Sequence, residues 1–137
     1  MPPLTRIGIR SALVVVVAAA FVGALLATAR SGFVAFSPAW AQLHGSWMLF
    51  GGITQLAFAV AYWILPRGRG GARGHPVPAI AAIVLLDAGL ALQAARVLLA
   101  PALPPALEAA AWLSGFGAFA LHAAPRVLAL RIAKTRS

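Results

Sequence analysis

The sequence predicts an all-α membrane protein, a bundle of four transmembrane helices with both termini in the cytoplasm. Three observations predict it. Of 137 residues, 62% are hydrophobic and 9% charged, whereas a soluble domain is about 45–50% apolar and about 25% charged. Apolar runs long enough to cross a bilayer recur along the chain, broken by proline, glycine or arginine. The cations are unevenly shared among the segments between those runs, as the positive-inside rule requires.

The first predicted span covers residues 11–29, after a short basic lead carrying Arg6 and Arg10. A crossing needs about 20 apolar residues at about 1.5 Å rise each, and this run meets that length. A cleaved signal peptide is the rival reading, because Ala39-Trp40-Ala41 has the small-x-small form. The run is longer than the usual ~7–15-residue signal core and lies far from that site, which argues for a span.

Gly32 and Pro38 break the next connection. The second span covers residues 41–65, with Trp40 and Trp47 read as one interfacial belt, Tyr62 and Trp63 as the other, and Pro66 as the stop. Residues 66–76 (PRGRGGARGHP) form a glycine-rich basic loop with Arg67, Arg69 and Arg73. No strand precedes it and its glycine spacing matches no nucleotide loop. The third span covers residues 77–100, a charge-free turn follows at Pro101-Ala102-Leu103-Pro104-Pro105, and the fourth covers residues 106–130. Arg131, Lys134 and Arg136 follow it.

The first loop has only Arg30 and the third no cation, while the two ends and the second loop hold nearly all the rest. Four spans with a cytoplasmic N-terminus satisfy the rule at every loop. The net charge of +9 is therefore a topology signal. No interleaving of basic and aromatic residues points to nucleic acid, so the expected surroundings are the lipid bilayer and a second copy or another membrane subunit. There is no cysteine, which excludes disulfides, thiolate metal sites and cysteine catalysis. High Ala, Arg, Gly and Pro usage fits a GC-rich bacterium, and with it the inner membrane.

Ionisable groups in a bilayer are costly unless paired, so each one needs an account. His44 falls about 5 Å inside the outer end of the second span, and Arg96 about 6 Å inside the outer end of the third. Gln93 lies one turn below Arg96, and Glu108 opens the fourth span at the same face. Arg96 either snorkels or pairs with Glu108, or it serves an anion beside His44. A deeper layer holds Gln55, Asp87 and His122, the first two about 15 Å from the inner end and His122 about 10 Å. Asp87 is expected to pair with His122 or Gln55, tying helices together, or else to act as a proton or ligand site. His44, Gly51, Gln55, Phe58 and Tyr62 fall on one face of the second span, and Gly115, Phe119, His122 and Arg126 on one face of the fourth. His44 and His122 differ in depth by about 15 Å or more, so they are not two ligands of one heme. No His/Glu pair has metal-binding spacing and no catalytic triad can be assembled at one depth.

The second span resembles helix II of the catalytic subunit of heme-copper oxidases and their nitric oxide reductase branch. His44-Gly45-Ser46-Trp47-Met48-Leu49-Phe50 is similar to the oxidase pattern His-Gly-x-x-Met-x-Phe. Ala61-Tyr62-Trp63-Ile64-Leu65-Pro66 is similar to the end of that helix in the reductases. The likeness covers about a quarter of the family's helices, those at its start. It implies heme b held through His44 near the outer face, with Met48 and Gly51 beside it, Arg96 as a propionate partner, and a link to respiratory electron transfer. The family's copper-binding histidines and second axial histidine have no counterpart here, so no stand-alone catalysis is implied. Two further readings stand beside this one. One is a heme-free accessory or scaffold subunit. The other is a small proton-coupled transporter using Asp87 and His122.

Overall fold

In the computed structural model, residues 1–32, 37–67, 74–99 and 101–134 are described, the side chains of residues 30 and 129–134 excepted. Arg69, Arg73 and Arg136, on which part of the charge argument rests, lie outside the described residues. Every regular element among those described is helical. We number them α1 (Pro3–Arg30), α2 (Pro38–Ile64), α3 (Val77–Leu98) and α4 (Ala106–Lys134). Three of them, α1, α2 and α3, are long and apolar enough to cross a membrane. α4 has the length, 29 residues, but Glu108, Ser114, Gly115, Gly117 and His122 make it more polar.

Proline in the first turn opens α1, α2 and α3. The ring has no N–H to orphan there, and its fixed φ suits a helix start. This is why α1 begins at Pro3 and not near residue 11. The basic lead is helical, and Thr5, Gly8, Ala12, Ala19 and Val22 form one buried face along it. At the other end Ser31 caps the helix through Ala29 and Thr28, and Gly32 leaves it at φ 86°, the left-handed conformation glycine adopts readily.

α2 is not a uniform α-helix. Trp47–Thr54 is π-helical, closing i→i+5 hydrogen bonds in place of i→i+4. The segment contains Gly51-Gly52, against which side chains of neighbouring helices press closely. A Cβ on Gly51 would lie 2.3 Å from Val15 Cγ1 and 2.7 Å from Leu90 Cδ1, and one on Gly52 would lie 2.7 Å from Val16 Cγ2. The predicted polar stripe divides after this segment. Gly51 and Gln55 face α1 and α3, whereas Phe58 and Tyr62 face α4.

α2 is thus the central element, and α3 and α4 pack as a hairpin against it. Trp112 packs against Gly89, where a Cβ would be 2.3 Å from the indole Nε1, and Gly115 lets α4 approach the Ala82 carbonyl. An aromatic ladder joins α4 to α2. Phe50 stacks on Trp112 with centroids 4.4 Å apart, Phe58 stacks on Phe119 at 3.9 Å, and Phe116 sits edge-on to both phenylalanines of α2.

The bundle buries small and polar side chains and turns large apolar ones outward. Ala12, Ala19, Ala82 and Gln55 are enclosed, while Val17, Phe21, Ile53, Leu113 and Leu121 are each more than 60% exposed. Without a hydrophobic force between helices in lipid, small residues and interhelical hydrogen bonds carry the packing. This pattern is that of a membrane bundle, in agreement with the all-α membrane class read from composition.

Candidate functional site

The polar side chains fall into three groups along the bundle. The first lies at the end holding the start of α2. His44 Nδ1 is 2.8 Å from the Ala19 carbonyl of α1, and its ring fills the space left by Gly23, where a Cβ would meet Cε1 at 2.7 Å. With Nδ1–H donating to Ala19, Nε2 keeps its lone pair. Among the described residues it has no hydrogen-bond partner, and the ring is half-buried. Nearby, the Ser46 Oγ lies 2.5 Å from Gln93 Oε1, joining α2 to α3. Arg96 holds Glu108 at two points, Nη2–Oε1 at 2.7 Å and Nε–Oε2 at 3.2 Å, joining α3 to α4. Of the roles expected for Arg96, the structure displays the pair with Glu108.

The second group is at mid-length. Gln55 Nε2 donates to Ser11 Oγ at 3.0 Å and to Asp87 Oδ1 at 3.1 Å. Ser11 Oγ lies 3.2 Å from both carboxylate oxygens. Asp87 is therefore held from two helices by neutral donors. Gln55 is fully buried, and its Oε1 is enclosed without a partner. Asp87 and Ser11 are half-buried. Among the described residues no basic side chain forms an ion pair with Asp87.

The third group lies at the opposite end from His44. His122 Nδ1 donates to the His75 carbonyl at 3.2 Å, and Arg126 Nη1 donates to His122 Nε2 at 2.7 Å. The imidazole stacks on Tyr62, centroids 5.1 Å apart. Arg126 also donates to the Leu65 and Pro66 carbonyls, at 2.6 and 2.9 Å. A cation on those carbonyls satisfies the orphan acceptors at the end of α2 and complements its dipole. Tyr62, read from sequence as an interfacial anchor, is 8% exposed and belongs to this cluster. Trp47 likewise has its Nε1 enclosed.

The predicted deep cluster is thus divided. Gln55 and Asp87 meet, and Ser11 joins them, while His122 is bound into the third group. Ser11 escaped sequence reading because a serine in an apolar helix is ordinarily satisfied by its own backbone. Its seven-residue spacing from Leu4 and four-residue spacing from Ile7 is the signal that puts it on the face turned to α3. His44 and Tyr62 are 18 residues apart on α2, so His44 and the His122 ring on Tyr62 are separated by about 25 Å. The two histidines do not share a ligand.

A heme against this chain needs a ligand, a flat apolar space and a cation for its propionates. His44 Nε2 supplies the first. The space beside Gly51 is filled by Val15 and Leu90, and Arg96 is committed to Glu108. Met48 is half-buried one turn from His44. The interior beside Gly51 therefore does not fit a macrocycle, and His44 is open to one from outside the bundle. No known family, curated protein or solved structure matches the chain.

Proposed function

We propose that the protein is a four-span integral membrane protein of the bacterial inner membrane, with both ends cytoplasmic, that serves as a heme-free accessory or scaffold subunit. The observation carrying this reading is the use to which its polar side chains are put. Ser46–Gln93, Arg96–Glu108 and Arg126 with the end of α2 each tie one helix to another. Polar residues used this way specify how helices associate in lipid. The fourth crossing is supported by α4 lying beside α2 from Trp112 on Phe50 to Arg126 on Leu65. The 14 steps from Trp112 to Arg126 extend about 21 Å, most of a bilayer core.

A second reading is favoured by one observation. The His44 Nδ1 bond to Ala19 is the kind of outer contact that orients a ligating imidazole through its other nitrogen. Heme b would then sit on the outer surface of the bundle, its second ligand coming from another copy or another subunit. When bound, the heme would supply electron transfer, and this chain would contribute His44 and the carbonyl that orients it.

One preparation separates the two. After expression with ample heme and purification in mild detergent, the first reading expects a colourless protein that runs in native gels as part of a larger assembly. A Soret band that disappears on His44→Ala would overturn it in favour of the second.

A further inference from the structure

An apolar groove of about 420 Å³ opens at the end of the bundle where α1 begins. It is lined by Leu4 and Ile7 of α1, Tyr62 of α2, and Ile80, Ile83 and Val84 of α3. Its volume is within the usual range of a small-molecule site.

The lining continues into the mid-length polar group by helical spacing. On α3, Ile80, Ile83, Val84 and Asp87 stand at i, i+3, i+4 and i+7, which is one face. On α1, Leu4, Ile7 and Ser11 share a face in the same way. Ser11 and Asp87 are each four residues beyond a groove residue, about 6 Å. Gln55 is fully buried behind them, whereas Ile7 and Val84 are 59% and 57% exposed. The half-buried carboxylate and the groove thus open on the side between α1 and α3. Ile83, packed on Gly8, marks the boundary between them.

We propose that this groove and Asp87 form one binding site for a primary ammonium carried on an apolar chain. The chain lies in the groove and the ammonium docks on the carboxylate. An ammonium has three donors and no acceptor. The group beside it offers the carboxylate, the Ser11 oxygen and, on rotation of the amide, the Gln55 Oε1 that has no partner. A single carboxylate without a basic partner is neutralised by one monovalent cation, and an uncompensated charge at this depth is costly. The apolar lining selects an amphiphile over a hydrated inorganic ion.

The site is tested on the full chain in mild detergent by equilibrium dialysis of n-octylammonium, corrected with empty micelles. Wild-type protein is expected to bind it saturably, one per chain. Asp87→Asn should lower the affinity by about tenfold or more, since it removes the charged partner. Val84→Trp, at an exposed lining position, should weaken binding by filling the groove, and Leu121→Trp on the outer face of α4 should leave it unchanged. Each variant is matched to wild type by circular dichroism and melting, and Val84→Trp carries the test should Asp87→Asn fail to fold. Binding no greater than that of empty micelles overturns the proposal. So does equal saturable binding of n-octanol, or undiminished affinity in a folded Asp87→Asn or Val84→Trp protein.

Discussion

Glycine is where single residues decide how this protein packs, and the glycines are not equivalent. A Cβ on Gly23 would press on the His44 ring from 2.7 Å, whereas one on Gly45 would meet nothing within 4 Å. Both lie in helices, where glycine is worse than alanine by about 0.5–1 kcal/mol. Gly45→Ala is therefore expected to be neutral or to stabilise by that amount. Gly23→Ala adds the same propensity gain but must displace the imidazole from Ala19, and overpacking of this kind costs about 1–3 kcal/mol. Unfolding of both variants in a detergent titration measures the difference, and equal midpoints would mean that His44 is not seated on α1. A helical pattern alone separates these positions poorly. Gly23 and Gly45 both read as small residues near helix ends, and the distinction comes from a ring on another helix.

Between elements, α3 and α4 behave as a hairpin locked by Trp112 over Gly89. The closeness of the indole to the Gly89 position predicts that Gly89→Ala destabilises the bundle by about 1–3 kcal/mol. It also predicts that the loss shrinks when Trp112 is first cut to alanine, because residues in contact are not additive. A double-mutant cycle on unfolding midpoints tests this, and additivity would show that the pair does not bear on hairpin packing. Helix existence was legible in the sequence because spans are long, uninterrupted apolar runs with proline at their borders. Two things were not. The start of α1 was read about eight residues late, since arginines at 6 and 10 look like a lead, yet Pro3 already seeds the turn. The π-helical stretch of α2 has no signature in composition. The stripe running from His44 to Tyr62 divides after it, into contacts with α1 and α3 as far as Gln55 and with α4 at Phe58 and Tyr62. The Gln55–Asp87 contact was legible because two polar groups at one depth in lipid have few other partners. The Arg96–Glu108 pair followed from charge. The aromatic ladder required knowing which helices adjoin.

At the scale of the whole molecule the open matter is how α4 relates to the bilayer. α1, α2 and α3 have the length and apolarity of spans, and α4 is more polar. Two arrangements follow, and they differ in one place. If α4 crosses, the residues after it are cytoplasmic with the N-terminus and the second loop. If α4 lies along the surface, they stay on the outer side. The positive-inside rule favours crossing, because Arg131, Lys134 and Arg136 follow α4. So does the ladder on α2, which keeps α4 parallel to a spanning helix along most of its length. The chain contains no cysteine, so single cysteines report position without background. Ser31→Cys and Ala102→Cys are expected to react with a membrane-impermeant maleimide on intact cells. His75→Cys and Ser137→Cys are expected to react only after permeabilisation. Ser137→Cys labelled in intact cells, with the other three as stated, would put α4 on the outer surface. Arg126 would then bind Leu65 and Pro66 at the wrong side of the membrane. That contradiction makes the C-terminal cysteine the decisive one, because it tests the packing of α2 on α4 and the charge argument in a single measurement.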